Sequence, residues 1–150
     1  MLVDDEPMVA TALRSFLELE TAWRILTFSN PLRALDALRS HEVDVLVTDF
    51  MMPGLDGVMF LRQAREIQPL ASRVLLTGYA DKTNAIRAIN EAGLYYYLQK
   101  PWDNEQLKMV IRNGIERTTL FRELDRRVAA LDGAHRELHE LRRKLIRTFL

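Results

Sequence analysis

Four stretches of the chain place chemically capable side chains at the ends of short apolar runs. Asp4 and Asp5 follow Met1-Leu2-Val3, and Asp49 follows Val43 to Thr48. Thr77 follows Val74-Leu75-Leu76, and Lys100 follows closely on Tyr95-Tyr96-Tyr97-Leu98. Carboxylates brought together without a counter-ion repel one another, which raises the pKa of at least one of them. A hard divalent cation such as Mg²⁺, which takes oxygen ligands and keeps several waters, removes that conflict. A carboxylate is also a nucleophile, a lysine is a point charge for phosphoryl oxygens, and a threonine hydroxyl donates to them. An acid pair, an acid, a hydroxyl and a lysine therefore match metal-assisted phosphoryl transfer to a carboxylate.

The elements that must position these groups follow from hydrophobic pattern. Val43 to Thr48 is β-branched and apolar and bounded by turn formers, which predicts a strand buried on both faces. Asp49 then stands at its carboxyl end, exposed yet rigidly held, where open α/β sheets bind ligands. Pro53, Gly54 and Gly57 turn the chain, and Val58, Leu61 and Ile67 give a helix that stops before Pro69.

Pro7 opens a first helix with an apolar stripe of Val9, Leu13, Phe16 and Leu17. Trp23 to Phe28 is the second strand. Ser29-Asn30-Pro31 caps and opens a helix through Leu32, Leu35 and Leu38, ending near His41. Asp81 caps a helix through Ile86 and Ile89 that ends at Gly93, and Asp103 caps the last one. Met1 stands only three residues before Asp4, where strands commonly have five or six, which predicts native residues before Met1. Strands alternating with helices imply right-handed crossovers and an α/β, doubly wound, five-stranded parallel sheet with helices on both faces.

With these residues in view, residues 1 to about 122 resemble the receiver domain of the two-component response regulators. The resemblance rests on Asp4-Asp5-Glu6, on Asp49 to Gly57 (DFMMPGLDG), on Thr77 and on Lys100-Pro101. It implies the strand order 2-1-3-4-5. It also implies Asp49 as the phosphoacceptor, with Mg²⁺ held by Asp5 and Asp49, by Asp4 through water, and by the backbone carbonyl of Met51. Lys100 and Thr77 then contact phosphoryl oxygens, and a cis peptide joins Lys100 to Pro101. Thr77 and Tyr97 would be the switch pair, altering the surface of helix 4, strand 5 and helix 5. Met51 and Tyr79, both bulky, would flank the phosphoryl group, restrict hydrolytic water and slow its loss. The implied donor is a sensor histidine kinase or phosphotransfer protein, and the domain signals rather than turning over a substrate.

Length fits one domain, residues 1–120, with a helical or coiled-coil extension or output linker over 121–150. Cysteine is absent, which excludes disulfides and thiolate zinc sites and agrees with a cytoplasmic setting. No apolar run is long enough to span a membrane. Residues 1–101 carry 10 basic and 13 acidic side chains, and residues 102–150 carry 11 and 8, an asymmetry too mild to imply nucleic-acid binding.

In the extension Leu124, Leu131, Leu138 and Leu145 recur every seven residues, with Phe121, Val128 and Phe149 at the companion spacing. That seam asks for a partner helix, most simply in a homodimer. Gly133 interrupts it, as do His135 and Arg142 at companion positions, which predicts a kink, break or helical hairpin near Asp132-Gly133. Interspersed acids and the lack of a compact basic block argue against a basic zipper. Arg143 to Leu150 resembles the linker into an HD-type output domain beyond residue 150. Two other classes compete for the site. A haloacid-dehalogenase-type hydrolase needs an acid two residues after the nucleophile, where Met51 stands. A receiver-shaped interaction module that never takes phosphate would normally lack one of the acids or the lysine.

Overall fold

The computed structural model describes residues 1–78 and 82–149, so Tyr79 and Asp81 lie outside the described residues. The chain runs β1 (Leu2–Val3), α1 (Pro7–Glu20), β2 (Thr27–Phe28), α2 (Pro31–Leu38), β3 (Val45–Asp49), α3 (Gly57–Ile67), β4 (Ser72–Thr77), α4 (Lys82–Ala92), β5 (Tyr96–Gln99) and α5 (Asn104–Phe149). All neighbouring strands are parallel and lie in the order β2-β1-β3-β4-β5, as the resemblance implies.

Period-two alternation sends successive side chains of β3 and β4 to opposite faces. Leu46 and Leu75 join Leu35 and Leu38 of α2, Phe60 and Leu61 of α3, and Ala88 and Ala92 of α4 in one core. Val45, Val47, Val74 and Leu76 join Leu13 and Leu17 of α1 and Leu107, Val110 and Ile111 of α5 in the other. Both central strands are buried throughout, so a one-residue slip would exchange the two cores at once.

Three helix starts use local carboxyl or amide caps. Asn30 Oδ1 accepts from Leu32 N at 2.9 Å, Asp56 Oδ1 from Met59 N at 2.8 Å, and Asp103 Oδ1 from Glu105 N at 3.0 Å. Helix α4 gives way to Gly93 at φ 59°, a left-handed turn that suits glycine.

Two expectations need correction. The second strand is confined to Thr27–Phe28 rather than Trp23 to Phe28, because β1 offers only Leu2 and Val3 as partners. Helix α5 passes unbroken through Gly133, with no break or hairpin there. A glycine costs roughly 1 kcal/mol in a helix, too little to stop one flanked by Ala129, Ala130, Ala134 and Glu137. By internal contacts the chain forms two compact units, Met1–Thr118 and Thr119–Leu150.

Within the first unit the close of the sheet onto α5 is specific. Gly114 admits Val45 and Ser72 so near that an added Cβ would lie 3.0 Å from Val45 Cγ2. One turn later the Thr118 hydroxyl donates to Asp44 O at 2.7 Å and accepts from Ser72 N at 3.1 Å. Arg73, buried in β4, donates to the carbonyls of Ala92, Gly93, Pro69 and Ala71 and so ties the ends of α3 and α4 to the sheet.

Candidate functional site

The site forms where β1, β3, β4 and β5 end. Each strand delivers at least one of the chemically capable groups, and β1 two, because parallel strands all present their carboxyl ends on one edge of the sheet. Asp49 closes β3, and the backbone around it is pinned by Phe50 N donating to Leu76 O at 3.0 Å and Gly57 N donating to Phe50 O at 2.9 Å. Its side chain is 7% exposed. The strand-end carboxylate is thus rigidly held, as its position predicts, but buried rather than exposed, since the loop from Phe50 to Gly57 folds back over it.

Asp4 and Asp5 reach the same point from β1. One oxygen from each of Asp4, Asp5 and Asp49 lies within 4.8 Å of the others. Asp4 Oδ1 accepts from Glu6 N at 2.9 Å, whereas Asp4 Oδ2 is buried without a hydrogen-bond partner. An orphaned buried carboxylate oxygen is costly unless something occupies its lone pairs. The Asp4 carboxyl is held above the ordinary range, first by burial and then by the Asp49 and Asp5 charges, against the opposing Glu6 N–H and Lys100. The sequence predicts a raised acid through repulsion; the direction is right, but burial is the larger cause.

Lys100 supplies the positive charge. Its Nζ stands 3.1 Å from Asp49 Oδ1 and 5.6 Å from the centre of the Trp102 ring, and the Lys100-Pro101 peptide is cis. Lys100 N also donates to Thr77 O at 2.7 Å, linking the ends of β4 and β5. The Thr77 hydroxyl is buried and reaches Leu98 O at 3.4 Å. Three carboxylates against one ammonium leave a cluster whose donors, all oxygen, suit a small hard cation.

Met51 lines a shallow cavity together with Asp5, Asp49 and Lys100. Met51 is 68% exposed at the rim. Tyr97 is 47% exposed on β5, paired in register with Leu75 rather than with Thr77. Tyr79 lies outside the described residues. Sequence reasoning gives no role to Glu6, Asp56 or Trp102, although Glu6 and Asp56 stand inside the motifs that carry the resemblance. Glu6 and Asp56 line the same shallow cavity as Asp5, Asp49 and Lys100. Asp56 caps α3 and also pairs with Arg87 of α4 at 3.1 Å, so it couples the loop over Asp49 to a second helix. The signal for it was present in the Asp56-Gly57 turn, where an acid precedes the helix.

Comparison with known proteins agrees with this geometry. The family model of the response regulator receiver domain matches residues 1–112. The hydrogenase transcriptional regulatory protein HoxA of Cupriavidus necator is 40% identical over 116 residues, which is 77% of this chain and 24% of that protein. The response regulator Rre1 of Synechocystis is 29% identical over 147 residues, 97% of this chain and 63% of that protein. Among solved structures, a response regulator receiver domain protein from Clostridium thermocellum superimposes with a TM-score of 0.73 at 34% identity, covering 80% of this chain and 95% of that one. The signal receiver domain of an HD domain-containing protein from Pseudomonas fluorescens Pf-5 gives 0.74 at 31% identity, with 79% and 94% covered. The chain spans about a quarter of the length of the first curated relatives it matches. With the acid cluster, the lysine and the 2-1-3-4-5 sheet in place, the chain belongs to the response regulator receiver domain family.

Proposed function

We propose that this chain is a phosphorylation-controlled switch in which Asp49 accepts a phosphoryl group from a phosphohistidine of a sensor kinase or phosphotransfer protein, or from a small acyl phosphate. The observation that carries the reading is the contact of Lys100 Nζ with Asp49 Oδ1 at 3.1 Å beside two further acids, one with an orphaned oxygen. An Asp49 carboxylate oxygen attacks phosphorus, the bond from phosphorus to the donor nitrogen (or, in an acyl phosphate, to the acyl oxygen) breaks, and the leaving imidazole (or carboxylate) keeps the electron pair. The protein contributes position and charge neutralisation more than covalent chemistry.

Asp5, Asp49, the Met51 carbonyl and, through water, Asp4 would hold Mg²⁺; the unsatisfied Asp4 Oδ2 and the all-oxygen donor set fit that ion. When bound, Mg²⁺ supplies the charge that offsets the carboxylates and the phosphoryl oxygens. Lys100 exchanges its contact with Asp49 for a phosphoryl oxygen, and the Thr77 hydroxyl leaves Leu98 O to donate to another. Tyr97 then turns inward and changes the face of α4, β5 and α5, a population shift set by how differently the phosphoryl group contacts the two states. Met51 at the rim and Tyr79 restrict hydrolytic water, so the phosphoryl group is lost slowly.

Residues 1–120 make up the receiver in this reading, and residues 121–150 carry its state through a homodimer or into an output domain, in the cytoplasm. The heptad leucines of the extension support the dimer. The likeness to the receiver of an HD domain-containing protein supports an HD-type output. Among the described residues no helix is long and apolar enough to cross a membrane.

The test is the intact mass after incubation with a small acyl phosphate, with and without Mg²⁺, on the wild type and on Asp49→Ala. One added phosphoryl group that requires both Mg²⁺ and Asp49 is expected. No adduct, with metal binding demonstrated and rapid hydrolysis excluded, would replace this reading with that of an interaction module that uses the receiver fold without phosphate.

A further inference from the structure

Outside the acid cluster, one pair of ligating side chains stands out in the second unit. His135 and His139 lie one helical turn apart on α5, both exposed, with their Nε2 atoms 2.9 Å apart and their rings edge to face at 4.4 Å between centres. Residues four apart on a helix share a face, so both imidazoles project to the same side. In the absence of a metal one ring donates its N–H to the other. A divalent ion held by two imidazole nitrogens at 2.0–2.1 Å with a tetrahedral angle separates those nitrogens by roughly 3.3 Å. The pair therefore needs to open by only about 0.4 Å to become a chelate.

Two nitrogens are half of a closed tetrahedral set, and the heptad phase says where the other half comes from. Leu124, Leu131, Leu138 and Leu145 form one line of the seam, each more than half exposed. Val128, His135, Arg142 and Phe149 form the companion line, which puts His135 on the seam and His139 on its flank. In a parallel, in-register pair each His135 meets its copy, both His139 rings flank it, and layers of Leu131 and Leu138 close the site above and below. Flanking positions five residues apart meet across such a pair. Arg127 would face the second copy's Asp132, a charge-complementary contact, and Leu141 would face the second copy's Ile146, an apolar one.

We propose that His135 and His139 are half of a four-imidazole site for a divalent transition metal, zinc foremost, completed by the same pair from a second copy, so that the metal locks the parallel dimer. Imidazole and tetrahedral geometry suit Zn²⁺ and exclude Mg²⁺, so this site does not compete with the acid cluster for its ion. The proposal rests on the dimer through α5 advanced above, but not on phosphorylation of Asp49. It also gives a reason for His135, one of the residues that interrupt the leucine pattern.

The test uses the untagged 150-residue chain with saturating Mg²⁺ throughout, measuring mass by sedimentation equilibrium with chelator and with added Zn²⁺, and bound zinc after desalting. The expected result is one zinc per two chains and at least a tenfold tighter dimer, both lost in His135→Ala and in His139→Ala. With Co²⁺ in place of zinc, the intense visible absorption of a tetrahedral centre should develop at the same ratio. A dimer of equal strength with and without zinc, binding no metal through the histidines, would overturn the site and leave the dimer standing. One zinc per chain with no change in mass would overturn the shared site. A monomer under every condition would overturn both the site and the dimer.

Discussion

Gly57 lies so close to Asp49 that a Cβ built on the glycine would collide with the Asp49 backbone carbonyl, and it would also come within 3.0 Å of Leu75 Cδ1. The glycine is therefore required by the close approach of α3 to the strand that carries the site acid. Gly57→Ala must push α3 away from β3 or shift Asp49. The expected cost is about 1–3 kcal/mol of overpacking, read as a lower denaturation midpoint with an unchanged slope. Because the backbone of Asp49 is what moves, Mg²⁺ affinity should fall as well. An alanine variant as stable as the wild type would mean that the loop absorbs the methyl group elsewhere.

Asp4 gives a pH signature. Its carboxyl pKa is raised above 3.8 in the folded chain, chiefly by burial, so the folded state binds that proton more tightly than the unfolded state does. Stability attributable to Asp4 is therefore lost as pH rises from the unfolded value through the folded one, and Asp4 is a net cost at neutral pH without a divalent cation. Asp4→Asn keeps an acceptor for Glu6 N and removes the charge. It is expected to be more stable than the wild type at pH 7 in chelator, to lose that advantage below about pH 3.8, and to gain less from added Mg²⁺. Thermal melts across pH with and without Mg²⁺ would check all three signs.

Much of this was legible in the sequence because the central strands carry unmixed information. Val45 to Val47 and Val74 to Leu76 are apolar throughout, so their burial, and with it the meeting of Asp49 and Thr77 at one sheet edge, follows from pattern alone. The ends of elements were less legible, because they depend on partners. Trp23 to Leu26 reads as strand, yet only Thr27 and Phe28 find a neighbour in β1. The burial of Asp49 depends on how the loop from Phe50 to Gly57 folds back, which no local propensity encodes. Gly133 reads as a helix breaker only when taken alone, since one unfavourable residue does not outweigh the favourable helix formers around it. Arg73 could not be read at all: an arginine in an apolar strand looks like an exposed edge position, and two of its carbonyl partners, Ala92 and Gly93, are about twenty residues away.

Lys100 should act in opposite directions on metal and on phosphate. Its ammonium stands 3.1 Å from Asp49 Oδ1, so it is the counter-ion that a divalent cation must coexist with. Lys100→Met removes a positive charge from the edge of the cluster and is expected to tighten Mg²⁺ binding by roughly tenfold. The same change removes the point charge for phosphoryl oxygens, and the yield of the phosphorylated mass should drop sharply at saturating Mg²⁺. Calorimetric titration and intact mass together separate the effects. Unchanged metal affinity would identify Lys100 as a lysine that merely lies near the site.

Arg73 is the sharpest test of the scaffold behind the site. It is 5% exposed, and its Nε and Nη1 donate to Ala92 O at 2.8 Å, Gly93 O at 3.2 Å, Pro69 O at 3.0 Å and Ala71 O at 2.9 Å. Burial, with Arg65 and Arg117 nearby, lowers its pKa to about 10, so it remains a cation at neutral pH. Arg73→Leu would match the apolar surroundings of β4 but leave four carbonyls at the ends of α3 and α4 without their donor. The loss should be about 3 kcal/mol or more. Arg73→Lys keeps charge and length but cannot present a planar fork to four acceptors, so it should recover only part of that loss. A leucine variant at full stability would show that water satisfies those carbonyls and that the guanidinium is dispensable. If instead the lysine variant recovers fully, charge rather than the shape of the donor fork fastens α4 to the sheet.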